Sequence, residues 1–377
     1  MRGLTKGMTQ PNMLQCIVAA TLVAHTIPLV GCSSPADPDP RAPGKPEYSW
    51  TLDTIRYHGA TQLFFNNLAG TRDGSVYATA SCNSPDFGGK FWRYSDGEWR
   101  DIPVDRRAGG PLPDKVVHLS YVAVANGGSR VWMTGERLSW DREKNQSIRH
   151  GFLASYDGTK FDEVDVSHTP RTTGIHVIRD DLIYLGVEGP TLYRYDGRDM
   201  HPYPLPMPAL RELMEEEIRR VSIGSIAGSE NRLIVKVFIY YETKVRRVVR
   251  LSLTNNETWT MEGLEGLGRY WTSPTGVMYA GEYMGVYRYE SGDWVKIHSP
   301  MGSVAHVWGH SDRDFWATGP VETVLRCVDG VWEAPVIRLP VHEGYVSWNS
   351  GWSTGDEVFI SGMPWVESNI VIIAHGK

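Results

Sequence analysis

The sequence predicts an all-β chain, a seven-bladed β-propeller of four-stranded antiparallel blades, on three observations. An aromatic hairpin phrase occurs six times, a strand–turn–strand unit stands before each copy and occurs a seventh time without one, and several copies lie 36 to 39 residues apart. The 39 Gly and 23 Pro, with no long amphipathic helical pattern, agree with many short strands joined by turns.

The hairpin comes first. It reads FWRYSDGEW from Phe91, LASYDGTKF from Leu153, LYRYDGRDM from Leu192, LSLTNNETW from Leu251, VYRYESGDW from Val286 and VLRCVDGVW from Val324. Each copy is read as an alternating strand, a tight turn of the Asp-Gly or Asn-Asn kind that accepts positive φ, and a second strand opened by an aromatic. With Gly97, Gly158, Gly197, Asn256, Gly292 and Gly330 as a ruler, the intervals are 61, 39, 59, 36 and 38 residues. Three share one period, which signals a repeat architecture, and the other two carry insertions of about 20 residues.

The strand–turn–strand units begin near Leu68, Val124, Val177, Ile226, Trp271, Val307 and Ser350. Joined to the hairpin that follows, each makes a sheet of roughly 40 to 50 residues, the size of a propeller blade. The seventh unit has no hairpin after it. An unassigned strand, YSWTLDTI from Tyr48, has the alternation of an outer strand, so it is expected to complete blade seven and remove the exposed edge.

Trp99, Trp259, Trp294 and Trp332 in the hairpins, and Trp132 and Trp316 in second strands, are expected to pack between blades. Cys82 and Cys327 fall in blades one and six with blade seven between them. A disulfide needs Cα atoms within about 7 Å, so none is expected there.

The first residues differ in kind. Arg2 and Lys6 precede an apolar run from Cys16 to Gly31 that His25 and Pro28 interrupt, which suits a signal-peptide core better than a membrane span of about 20 residues. The run ends in LVGC, Leu29 to Cys32, and this resembles the lipobox of bacterial lipoproteins. That resemblance implies cleavage before Cys32, acylation on it, anchorage in a membrane and, with Ser33 following, the outer membrane. Residues 1–31 then form a lipoprotein signal peptide, 32–47 the lipidated Cys and a Pro-rich tether, and 48–377 the propeller. Over 48–377 the chain resembles the broad group of secreted bacterial β-propeller proteins whose blades carry a VWAxG strand and a YDGxxW hairpin, a resemblance that implies architecture rather than activity.

Turns within a blade between its first and second or third and fourth strands lie on one face of a propeller, and here they are uniformly tight. The other face receives the insertions, at Pro103, Gly135 and Pro206, and long loops on a rigid scaffold are where binding is usually placed. The last insertion predicts a short helix after Pro208 with Leu210, Leu213, Met214 and Ile218 on one apolar side, read as a lid packed on blades three and four or, alternatively, as a partner-docking helix.

Candidate ligand-binding residues at the channel mouth are His176, Arg269, Trp271, His306, Trp308, Trp348 and Asn349, which begin inner strands. Arg, His and Trp together suit an anionic or carbohydrate ligand. His118, His176 and His306 belong to blades two, three and six, too far around the ring for a metal site. No nucleophile elbow, phosphate loop, HExxH or EF-hand motif is present, and no cofactor is called for. A formal charge of −6 and scattered Lys and Arg argue against nucleic acid. The expectation is a lipid-anchored, monomeric envelope protein that binds a protein or glycan through the long-loop face without catalysis. The alternative is a polysaccharide hydrolase or lyase at the channel mouth, drawing on Asp86, Glu136 and Asp141.

Overall fold

The computed structural model describes residues 48–377 apart from 58–61, 83–89, 105–108, 113–116, 142, 213–216, 242–245, 255–257, 265–267, 283–284, 301, 322, 340–344 and 366–368. The signal segment, Cys32 and the tether lie outside the described residues, as does the turn at Asn256.

Seven four-stranded antiparallel sheets follow one another around a ring. Their inner strands are Leu63–Gly70, Val117–Val124, Thr172–Arg179, Arg220–Ser229, Tyr270–Thr272, His306–Ser311 and Val346–Ser353, for blades one to seven. Blade seven takes its outer strand from the other end of the chain. Trp50–Arg56 pairs with Ile370–Gly376 in unbroken register from Trp50 opposite Gly376 to Arg56 opposite Ile370. The missing seventh hairpin is thus replaced as its absence predicts.

Closure is also clamped from blade six. Arg326 is 1% exposed, donates to both carboxylate oxygens of Asp314, and lies over the rings of Tyr48 (4.7 Å) and Trp316 (5.3 Å). Tyr48, Trp50 and Leu52 pack on the cluster that holds Trp316, Ile372 and Ala374. A buried cation on two aromatic faces with a paired carboxylate ties Tyr48 to a strand nearly 280 positions later.

The hairpin turns explain their own sequence. Asp96 and Gly97 have φ of 55° and 85°, and Asp329 and Gly330 have 51° and 82°, the two positive values of a turn whose twist matches its strands. The tryptophans pack where blades meet. Trp99 contacts Phe359 of blade seven, Trp332 stacks on His298 of blade five at 4.3 Å, and the Trp132 indole donates to Asp180 of blade three. Wedging is tight at Gly351 and Gly70: a Cβ there would lie 2.1 Å from Trp308 and from Trp352.

Each of the seven seams also carries a hydrogen bond at or beside the inner strands. Ser350 Oγ accepts from Leu68 N, Asn67 Oδ1 from Val122 N, and Ser225 Oγ from Tyr270 N. Thr134 bonds Thr172 between blades two and three, and Thr173 donates to the Ile223 carbonyl between three and four. Arg269 N reaches Ala305 O, and Trp348 N reaches Gly319 O, at the last two seams.

The insertion helix spans Met207–Glu212, and Leu210 is fully buried in the cluster shared by blades three and four, with Ile218 against it. Leu213 and Met214 lie outside the described residues. Cys327 is buried, and blade seven separates its blade from the strand of Cys82.

Removing Arg326 leaves Asp314 facing the protein interior without its partner and uncovers Tyr48. Arg326→Ala is expected to lower unfolding free energy by about 3 kcal/mol in urea titration. Glu98→Ala, at an exposed ion pair, should change it by less than about 0.5 kcal/mol.

Candidate functional sites: the channel and the long-loop face

Strand geometry decides which predicted residues reach the channel. Five inner strands carry a register shift at matching places: after Phe65, Leu119, Thr172, Ile223 and Trp348. Such bulges bend a strand and re-aim its side chains. Beyond them a cavity of about 1010 Å³ runs between the blades. His176, Arg269, Trp271, His306 and Trp308 line it.

Trp348 and Asn349 are not in that lining. Asn349 is itself the bulge residue and Trp348 precedes it, whereas this strand joins the lining only beyond the bulge, from Gly351. Trp348 is 2% exposed and packs beneath Gly362. Trp308 is mostly wedge: it stacks on Trp316 with centroids 5.6 Å apart and 5° between planes.

Arg269 crosses the channel. It begins blade five, and its Nη1 donates to the carbonyl oxygen of Asn66 in blade one at 2.7 Å while its guanidinium lies 5.1 Å from the Tyr121 ring of blade two. In a seven-membered ring, blades one and two are the two opposite blade five, so this side chain bridges the full channel. Next to it stands Lys236, 2% exposed, whose Nζ bonds the Gly268 carbonyl. Sequence reasoning missed Lys236, although a lone Lys inside LIVKVFIY is a visible anomaly: a charge in a buried strand needs a polar destination.

No Asp or Glu occurs among the described lining residues, whereas Arg72, Lys236 and Arg269 are cationic and His176, His306 and His310 add imidazoles. Burial lowers the pKa of His306 well below the usual histidine value, with Arg269 and Lys236 adding to the effect. Burial also lowers that of His176, against the opposing bond of its Nε2 to the Gly228 carbonyl at 3.0 Å. Both rings are neutral at pH 7. Among the described residues no group of His, Cys, Asp and Glu is placed to hold a metal, and His118 lies in blade two apart from the other two.

The cavity opens among the tight turns rather than on the long-loop face. Exposed Arg72, Asn126 and Thr275 form its rim. Asn126 Nδ2 reaches the Pro274 carbonyl at 3.4 Å across the mouth, again between blades two and five. The arc of blades six, seven and one, with His310, Thr354 and Arg72, is left as the wider side.

The opposite face carries the three exposed aromatics of the described residues: Trp140 (59%), Tyr345 (58%) and Trp365 (61%). Trp140 stands on a ribbon. Val131–Asp141 and Gln146–Tyr156 pair as far as Asp141 opposite Gln146, but the inner strand follows only to Arg137 and the outer strand only to Leu153. The last four pairs therefore overhang the blade by about 13 Å, at 3.3 Å per residue. Tyr345 and Trp365 meet edge to face at 6.2 Å and share a backbone bond. At the ribbon's base Glu136 is buried between Arg149 and Arg171 at 3.2 and 3.5 Å. Asp141 accepts from the backbone of Glu143 and Lys144, and Asp86 lies outside the described residues.

No protein-family model matches the sequence, and no curated protein matches it. Among solved structures it is similar to YCF48 from Cyanidioschyzon merolae, at 10% identity with 85% of this chain and 98% of that one covered and a TM-score of 0.51. It is also similar to a chain in the crystal structure of the Mitotic Checkpoint Complex, at 9% identity with 96% and 99% covered and a TM-score of 0.50. The WD40 beta propeller domain of Doa1 follows at 14% identity, 87% and 97% covered, and a TM-score of 0.48. At such identities the likeness is one of fold.

The neutral histidines set a pH dependence. Below pH 6.5 the unfolded chain takes up protons that the folded channel refuses, so stability falls as pH drops, by up to about 1.4 kcal/mol per unit for each ring. Urea midpoints should decrease from pH 7.5 to 5.5, and His306→Gln should flatten the decrease. A midpoint constant over that range contradicts burial of neutral rings.

Proposed function

We propose that this is a lipid-anchored protein of the bacterial cell envelope that binds a protein partner through the long-loop face. One observation carries the reading. All three exposed aromatics among the described residues lie on that face, one on an overhanging ribbon and two as a contacting pair, and exposed aromatics of this kind are typical anchors of protein interfaces. Anchorage follows from the LVGC motif and Cys32, with the Pro-rich segment as tether.

Chemistry at the channel is less well supported. A glycosidase needs two carboxylates about 5 to 10 Å apart, and the described lining supplies none. Glu136 is already paired with two arginines, and Asp141 holds its own turn.

Two measurements test the reading. Trp140→Ser, Tyr345→Ser and Trp365→Ser combined should leave unfolding within about 1 kcal/mol of the parent, because the sites are exposed. The same variant should lose a partner that the parent captures after crosslinking in intact envelopes. Capture that survives all three substitutions, or no captured protein, removes the proposal. Cys32→Ser should abolish incorporation of a labelled fatty acid and release the chain from the membrane fraction; label retained by that variant contradicts the anchor.

A further inference from the structure

We propose that the central channel, on the face opposite the aromatics, is a binding site for an acidic oligosaccharide. Charge is the first argument. The chain carries a formal −6, yet the described channel lining holds Arg72, Lys236 and Arg269 and not one carboxylate. An interior that concentrates positive charge against the sign of the whole molecule draws anions into it, and low-dielectric walls focus that field.

Arg269 supplies the second. Buried or half-buried arginines usually meet a carboxylate in fork geometry. Here, among the described residues, the guanidinium is held by one carbonyl oxygen and one aromatic face, so it is fixed in position while donors remain for an incoming oxyanion. His306 stands beside it with a neutral ring that makes no hydrogen bond to a described residue, and so offers an N–H.

Size and surface chemistry select the class of anion. About 1010 Å³ is at the upper end of small-molecule sites, which run from about 300 to 1,000 Å³, and far exceeds a single phosphate or sulfate. The wall also carries the hydroxyls of Ser225, Thr272, Ser273 and Thr275, each bonded at least once within the protein, and the rings of Tyr121, under Arg269, and Trp271, stacked on Tyr279. Hydroxyls and aromatic rings in one cavity with cations match a chain of sugar rings bearing carboxylate or sulfate groups. The wider arc of the mouth, with Arg72 and His310, gives such a chain its way in.

Calorimetry on the full chain in detergent tests this, with tetragalacturonate and a heparin tetrasaccharide as acidic probes, cellotetraose as the neutral one and a tetraglutamate peptide as the acidic peptide. At least one acidic saccharide should bind, with affinity falling as salt rises. Arg269→Gln should weaken it at least tenfold. Arg72→Ala, on the exposed rim where folding is not at stake, should weaken it at least threefold, and cellotetraose should not bind. Failure of both acidic saccharides, affinity unchanged in both variants, or equal affinity for the tetraglutamate peptide would overturn the assignment. The triple substitution of Trp140, Tyr345 and Trp365 should leave this binding intact, which separates the two faces.

Discussion

A ring of sheets has no stable form until its last gap is shut, and in this chain the gap is shut by Trp50–Arg56 lying along Ile370–Gly376. Without that strand, blade seven presents an open edge of unpaired backbone and loses the aromatic cover of Tyr48 and Trp50. Arg326 reinforces the same closure from the neighbouring blade, where its burial between Asp314 and two aromatic rings makes it costly to displace. Local hairpins form from local sequence, but the identity of opposite blades, and hence the channel, exists only once the ends have met.

The channel is a consequence of closure at fixed circumference. Seven seams, each with a hydrogen bond at or near the inner strands, set the distance across the middle, and Arg269 is just long enough to reach from blade five to the backbone of blade one. The bulges after Phe65, Leu119, Thr172, Ile223 and Trp348 divide five of the seven inner strands, and the residues beyond them line the cavity. Two faces with different chemistry result. One presents aromatics on an overhanging ribbon and a contacting pair, the other a cationic mouth among tight turns.

Much of this was legible because it depends on short-range rules. A glycine with positive φ at Gly97, Gly158, Gly197, Gly292 and Gly330 marks five hairpin turns, the recurring Trp marks where blades touch, and counting the copies exposes the missing outer strand that Trp50–Arg56 supplies. The site was legible in part. His176, Arg269, Trp271, His306 and Trp308 meet in one cavity because inner strands converge by construction. Trp348 and Asn349 occupy similar positions in the pattern but part from it at a bulge, a one-residue irregularity that no periodicity announces. Nor does a sequence reveal that Arg269 spans the ring, since that depends on circumference, or that the cavity opens among the short turns. Lys236 was visible as a charge in an apolar strand, yet its destination at the Gly268 carbonyl emerges only when blades four and five are side by side.

Closure through the N-terminal strand is the claim on which both faces rest, and amide hydrogen exchange reads it directly. Peptides covering residues 49–56 and 370–376 should exchange together and slowly, with protection equal to that of the inner strand Val346–Ser353, because opening the seam opens the ring. Rapid exchange of 49–56 while 346–353 stays protected would show a propeller that stands without its terminal strand, and would contradict the account.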